Sequence, residues 1–141
     1  MLIIIRGAPG SGKHYLADLI YKKEAEEYRN DRCKILSIRK FIVNHIYDPR
    51  KADEYDMQQL NECRDMMQEG YNNFVIVVLN GCGIKHFNKI AHMAFSIGKF
   101  ECYSIEIHQK SEVCHKYDTY NRSIIDIKEA NEYLVRFSTP I

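Results

Sequence analysis

The sequence lacks the features that would assign it to several specialised classes of protein. Lysine and arginine total 20 against 19 aspartate and glutamate residues, so it has no global positive field of the kind that non-specific nucleic-acid binders carry. The five cysteines are odd in number and none has CxxC spacing, which argues against a disulfide framework and favours an intracellular compartment, nuclear or cytoplasmic. The histidines form neither an HxH nor an HExxH motif, so no metal site is expected.

Long apolar runs are also missing, and no membrane association is therefore expected. The apolar run at the amino terminus is too short for a signal peptide and predicts a buried strand. Apolar runs bounded by turn residues predict strands at 2–6, 34–38, 74–79 and 100–107. Helical periodicity predicts helices at 13–28, 53–69, 85–97, 111–120 and 126–137.

The alternation of strands and helices predicts an α/β fold in a single domain over residues 1–141. The expected architecture is a three-layer sandwich, in which helices cover both faces of a parallel sheet of about four to five strands. Leu19, Met57 and Phe95 are among the residues expected on the apolar faces of their helices. The segment 41–52 is the least regular part of the sequence.

The strongest functional signal lies between the first strand and the first helix. Residues 7–14 read Gly-Ala-Pro-Gly-Ser-Gly-Lys-His, which satisfies the GxxxxGK pattern of a phosphate-binding loop. Glycines let backbone N–H groups approach an anion, and the helix N-terminus adds a partial positive charge. The pattern predicts nucleotide or phosphate binding by Gly7, Pro9, Gly10, Ser11, Gly12, Lys13 and His14. Lys13 is expected to reach the β- and γ-phosphates.

The last position of this loop departs from the pattern. A serine or threonine is expected there because its hydroxyl is a ligand of Mg²⁺, but the residue is His14. An imidazole is a poor ligand for a hard, oxygen-seeking ion. The substitution therefore predicts that Mg²⁺ coordination is lost, with the alternative that His14 donates a hydrogen bond to a phosphate.

With this loop, the chain resembles the P-loop kinase-like domains of the polynucleotide-kinase type, and most closely the C-terminal domain of the YLP-motif-containing nuclear protein family. Besides 2–13, the matching segments are 35–37, Tyr55 with the helix to Gly70, 74–79, His86 with Phe87, and 98–101. The resemblance covers most of the chain and is most specific at the loop. It implies ATP binding and transfer of the γ-phosphate to a hydroxyl, such as the 5′ end of a nucleic acid.

The same resemblance implies catalytic groups that this sequence has replaced. Arg39 and Lys40 match the aspartates that accept the proton of the attacking hydroxyl, and a cation cannot serve as that base. Asn80 matches the aspartate that supports the metal. Arg122 is retained as one arginine of the lid, whereas Tyr117 stands where another would be. Lys13 and Arg122 would be the catalytic residues if the chain were active.

These replacements predict a catalytically degenerate kinase-like module, a pseudoenzyme that acts mainly in protein–protein interaction or as a scaffold. It would retain nucleotide or phosphate binding, with ATP as the candidate and Mg²⁺ not expected. The expected partner is a protein, in a homo- or hetero-oligomer formed through a sheet edge or a tyrosine-rich surface.

Two alternatives remain open. One is an active ATP-dependent polynucleotide or nucleoside kinase that uses another base, Asp31 or Asp118. The other is an RNA-binding module built on a basic stretch, namely Arg32, Arg39, Lys40, Arg50 and Lys51.

One cysteine and two histidines lie at positions where a functional role has to be weighed against a structural one. Cys82 follows the third strand, where α/β proteins commonly have their sites, but a buried neutral thiol is expected. His86 and His92 are predicted to lie on one partly exposed helix.

Overall fold

The computed structural model describes residues 1–26, 32–42, 44, 46–69, 74–98, 101–120 and 122–136. Within them, four strands form one sheet: β1 (Leu2–Gly7), β2 (Cys33–Ser37), β3 (Phe74–Val78) and β4 (Cys102–Ile107). The α-helices are α1 (Lys13–Glu24), α2 (Ala52–Glu69), α3 (Ile84–Ile97), α4 (Ser111–Tyr117) and α5 (Ile124–Arg136). Short 3₁₀ turns cover Ile38–Phe41 and Pro49–Lys51.

The sheet is parallel throughout, with the strand order β2-β3-β1-β4. All five residues of β3 are buried, as expected for a strand that is covered on both faces. Side chains of successive strand residues point to opposite faces, so Ile4 packs in the cluster with α2 and α3 while Ile5 packs in the cluster with α1. The predicted three-layer α/β fold with a parallel sheet is confirmed.

In three helices, the face that is buried is narrower than the apolar face that the sequence pattern predicts. Leu19 and Met57 are about half exposed, and Phe95 is 87% exposed. At about 3.6 residues per turn, Phe95 lies on the side of α3 opposite the buried residues His86, Ile90 and Met93. Leu19 and Met57 lie outside the buried stripes of α1 and α2. The predicted helix ends at 28 and 137, and the predicted strand start at 100, lie outside the described residues. None of the described helices is both long and apolar enough to span a membrane.

The carboxyl ends of the parallel strands meet at one edge of the sheet, and two helices close over that edge. Cys114 of α4 and Ile127 of α5 form a buried cluster with Ala8 of the loop that follows β1. Gly10 in this loop has a positive φ of 78°, and a Cβ there would lie 1.9 Å from the carbonyl oxygen of Cys114. The backbone of α4 therefore rests directly on the loop, and only glycine fits between them.

Candidate phosphate-binding site

A cavity of about 600 Å³ opens at this edge of the sheet, within the range of about 300–1,000 Å³ that is typical of small-molecule sites. Six of the predicted loop residues line it: Pro9, Gly10, Ser11, Gly12, Lys13 and His14. Opposite them, the lining includes Ser37, Arg39, Asn80, Tyr117, Asp118 and Arg122. The segments that follow β1, β2, β3 and β4 all contribute, so residues far apart in the sequence share one cavity.

Lys13 lies at the base of the loop and is almost completely buried. Its Nζ donates hydrogen bonds to the carbonyl oxygens of Gly7, at 2.7 Å, and Ala8, at 3.0 Å. Burial lowers the pKa of Lys13 to about 8, because the charged ammonium is poorly solvated there. An anion bound by the loop would favour the charged form and raise this pKa again.

Ser11 adds a second unusual polar group to the loop. The residue is 7% exposed, and its Oγ has no hydrogen-bond partner among the described residues. It lies against Gly7, where a Cβ would come within 2.4 Å of the hydroxyl. A buried hydroxyl without a partner costs about 1–3 kcal/mol, and an oxygen of a bound phosphate is the kind of acceptor that would satisfy it.

His14 is already engaged by the protein. Its Nε2 makes a 2.7 Å hydrogen bond with Ser37 Oγ, which also accepts the backbone N–H of Arg39 at 3.2 Å. Burial lowers the pKa of His14 to about 4, with the positive charges of Arg39 and Lys13 acting in the same direction. The imidazole is therefore neutral near pH 7, and the position offers no oxygen ligand.

The residues present do not fit Mg²⁺. Asp118 is the one carboxylate among the described residues that line the cavity, and it is paired with Arg122. No group of three His, Cys, Asp or Glu side chains comes together as a metal site in the described part of the chain. Since Mg²⁺ at phosphate sites is usually held by one or two carboxylates together with phosphate oxygens and water, the described side chains of this cavity offer it no carboxylate that is not already paired.

Arg122, which was predicted to be a lid arginine, is held by contacts between its guanidinium and neighbouring side chains. Its Nη1 lies 3.0 Å from Asp118 Oδ1, and its backbone N–H donates to Asp118 Oδ2 at 2.6 Å. The guanidinium carbon lies 4.7 Å from the ring centre of Tyr47 and 5.3 Å from that of Tyr120. The side chain of Asp118 is 2% exposed. Both members of the pair thus have structural roles, although they line the cavity.

Of the other positions matched to catalytic groups, Arg39 and Asn80 line the cavity, whereas Lys40 does not. Asn80 donates from Nδ2 to the hydroxyl of Tyr47 at 2.8 Å. Tyr47 is also one of the two tyrosines whose rings contact the guanidinium of Arg122. Arg39 lines the cavity, whereas Lys40 forms an ion pair with Glu62 and lies outside it. Asp31, one of the two alternative bases, falls outside the described residues.

Two residues of the basic stretch have acidic partners among the described residues. Arg50 is 90% exposed and pairs with Asp48 of its own turn at 3.2 Å, and Lys40 pairs with Glu62 on α2. Of the five basic residues in that stretch, Arg39 alone is among the described residues that line the cavity.

Gln59 is a supporting residue that the sequence pattern did not single out. It is fully buried, and its Nε2 donates to the carbonyl oxygens of Leu36, at 3.0 Å, and Val78, at 2.8 Å. Its Oε1 lies 2.8 Å from His86 Nε2. The amide therefore ties the carboxyl ends of β2 and β3 together just before Ser37 and Asn80 enter the cavity.

The prediction that His86 and His92 lie on one partly exposed helix is confirmed: both belong to α3, in which His86 is buried and His92 is exposed. Burial lowers the pKa of His86 to about 4, which keeps the ring neutral beside Gln59. A sequence signal for this network existed, because Gln59 stands between the buried residues Tyr55 and Cys63 at helical spacing.

Cys82 is buried, as predicted, and burial raises the pKa of its thiol. Its carbonyl oxygen accepts a 2.7 Å hydrogen bond from Arg6, which is fully buried and also pairs with Glu106 at 3.2 Å. Arg6 thus connects β1, β4 and the loop after β3 beneath the site, a role that the sequence pattern alone did not reveal.

Comparisons with known proteins agree with the fold. No model of a protein family matches the chain. YLP motif-containing protein 1 of Rattus norvegicus is 23% identical over 154 aligned positions, which cover 94% of this chain and 11% of that protein. The Homo sapiens protein of the same name is 22% identical over 94% of this chain and 7% of its own length. The chain thus spans about a tenth of the length of these curated relatives.

Three solved structures share the architecture. A chain of the Pnkp1/Rnl/Hen1 RNA repair complex gives a TM-score of 0.71 at 14% identity, covering 96% of this chain and 44% of that one. The Deinococcus radiodurans tunicamycin resistance protein gives 0.62 at 14% identity, over 97% and 80% of the two chains. A gluconokinase from Sinorhizobium meliloti gives 0.55 at 16% identity, over 93% and 73%. The P-loop kinase-like fold and the predicted resemblance are confirmed.

Proposed function

We propose that this chain is a catalytically inactive P-loop kinase-like module that binds the phosphate groups of a nucleotide, such as ADP or ATP, without Mg²⁺. The observation that carries the proposal is the hydrogen bond between His14 and Ser37, set beside a fully formed loop with Lys13 buried in it. The loop keeps the groups that hold phosphate, while the position that should hold the metal is a neutral imidazole.

Charge in the cavity supports binding in the absence of a metal ion. Among the described residues, Lys13, Arg39 and Arg122 line it together with one carboxylate, Asp118. The nucleotide would meet backbone N–H groups of the loop, the N-terminus of α1 and the ammonium of Lys13. These groups supply positive potential that a metal ion supplies in other phosphate sites.

Among the described residues that line the cavity, the groups that phosphoryl transfer requires are missing or engaged elsewhere, which supports the loss of catalysis. A base must accept the proton of the attacking hydroxyl, but Asp118 already accepts two backbone N–H groups and the side chain of Arg122. Arg122 would have to leave that pair and two tyrosine rings to reach a phosphate. A metal ion and an arginine each increase the rate of phosphoryl transfer by a large factor. Without them, turnover should be undetectable.

The test combines binding and turnover on the same protein. ADP should raise the melting temperature of the chain, and Lys13→Met should abolish the shift without unfolding the protein. Incubation with ATP, Mg²⁺ and 5′-hydroxyl RNA or DNA should transfer no phosphate. Turnover that disappears in Lys13→Met would refute the loss of catalysis, and an unchanged melting temperature with ADP would refute nucleotide binding.

A module that binds without reacting acts through what it contacts, so we extend the proposal to a protein partner. Tyr103 on β4 is about half exposed, and exposed tyrosines are favoured at protein interfaces. Light scattering after size exclusion, with and without ADP, would measure whether that partner is a second copy. A monomer under both conditions would exclude homo-oligomers and leave a different protein as the partner to be sought.

A further inference from the structure

The two arginines of the cavity differ in how they are held. Arg122 is paired with Asp118 and covered by two aromatic rings. Among the described residues, Arg39 forms no ion pair with a carboxylate, and its guanidinium donates one side-chain hydrogen bond, to Thr119 Oγ1 at 3.5 Å. That distance is at the outer limit of a hydrogen bond. Arg39 is exposed, and most of the five N–H donors of its guanidinium have no partner among the described residues and can serve a ligand.

The surroundings of Arg39 suit an anion. Ser37 and Thr119 present hydroxyls beside it, and His14 is neutral. Asp118, the carboxylate of this cavity, is neutralised by Arg122. The planar fork of a guanidinium matches the oxygens of a phosphate and can bind two of them at once. A ligand that carried a free hydroxyl in place of the phosphate would gain little binding energy from this guanidinium.

Two aromatic side chains extend the cavity beyond its charged part. Tyr15 and Tyr117 both line it, and they are 71% and 65% exposed. An exposed ring beside a basic group is the arrangement on which proteins stack nucleic-acid bases, and it tolerates any base. Lys116 Nζ lies 5.5 Å from the ring centre of Tyr117. A nucleobase in this cavity would therefore have two rings on which to stack, in a lining that also contains Arg39.

We infer that Arg39 marks a second anion site, which receives a terminal phosphomonoester while the loop holds the phosphates of the nucleotide. The ligand is a nucleotide unit that already carries its phosphate, and its base stacks on Tyr15 or Tyr117. The inference rests on the proposed function, because it assigns a second ligand to the part of the cavity that the nucleotide bound at the loop does not fill. A mononucleotide and the phosphorylated end of a single strand share this chemistry.

The experiment titrates the full chain, saturated with ADP, with matched pairs of ligands in a calorimeter. One pair is thymidine 5′-monophosphate and thymidine; the other is pentathymidylate with and without a 5′-phosphate. In at least one pair the phosphorylated member should bind about tenfold or more tightly than its partner. A preference seen with the monophosphate identifies a mononucleotide ligand, and one confined to the pentamer identifies a strand end.

Variants locate the effect. Arg39→Gln should reduce the preference to about twofold or less, whereas the matched control Lys40→Gln, outside the cavity, should keep it. Equal binding of both members of each pair to the ADP-bound chain would overturn the inference and leave the proposed function standing. A preference that survives Arg39→Gln, or an Arg39→Gln protein that has lost only ADP affinity, would also overturn it.

If ADP does not bind, the proposed function fails, and the titration without ADP then decides the inference alone. A preference lost in Arg39→Gln but kept in Lys13→Met would support the second site. The opposite pattern would assign the phosphate to the loop and refute it.

Discussion

Replacing Gly10 with alanine tests how closely α4 rests on the phosphate loop. Gly10 has a φ of +78°, and a Cβ there would lie 1.9 Å from the carbonyl oxygen of Cys114 and 2.9 Å from the backbone nitrogen of Asp118. The left-handed conformation costs a non-glycine residue about 1–2 kcal/mol, and forcing extra atoms into packed structure costs about 1–3 kcal/mol. The free energy of unfolding should therefore fall by about 2–5 kcal/mol.

Two other glycines separate these contributions. Gly12 has a φ of +97°, but a Cβ added there would meet no atom within 4 Å, so Gly12→Ala should cost about 1–2 kcal/mol from conformation alone. Gly81 has neither a positive φ nor a close neighbour, and Gly81→Ala should stay within about 0.5 kcal/mol of the parent. Urea unfolding followed by circular dichroism measures all three. A Gly10→Ala protein no less stable than Gly12→Ala would refute the contact between α4 and the loop.

Two further predictions concern charged groups of the same cavity. Arg122→Met keeps the packing between the tyrosine rings but leaves the buried Asp118 unpaired, so urea unfolding should show a loss of about 3 kcal/mol; a loss below about 1 kcal/mol would mean that the pair is not structural. Burial holds the pKa of His14 at about 4 in the folded state, against an ordinary 6.5, so the unfolded chain binds the proton first and stability falls as the pH drops from 6.5 towards 4. Thermal unfolding of His14→Asn should show a shallower loss over that window, and identical slopes would contradict the assignment.

The sheet and the loop could be predicted because both depend on local sequence. Residues 74–78 are apolar and mostly β-branched, which indicates a strand covered on both faces, and all of them are buried. The loop was recognised because its glycines and Lys13 stand at fixed spacing between a strand and a helix. Patterns of this kind lie within a few residues of one another, so tertiary contacts did not alter them.

The contacts beneath the cavity could not be predicted, because they join residues far apart in the chain. Arg6 reaches Glu106 and the carbonyl of Cys82, and Gln59 reaches carbonyls of β2 and β3. A single sequence shows neither partner. The same limit applies to Arg122: its position suggested a lid arginine, and only the fold reveals Asp118 and the tyrosine rings around it.

The central claim is that this cavity binds nucleotide phosphate without a metal ion, and one calorimetric comparison tests it most directly. The chain is titrated with ADP in the presence of Mg²⁺ and again with EDTA at the same ionic strength. Because His14 is paired with Ser37 and Asp118 with Arg122, the two dissociation constants should agree within about twofold. A dissociation constant that rises about tenfold or more when EDTA replaces Mg²⁺ would contradict the account.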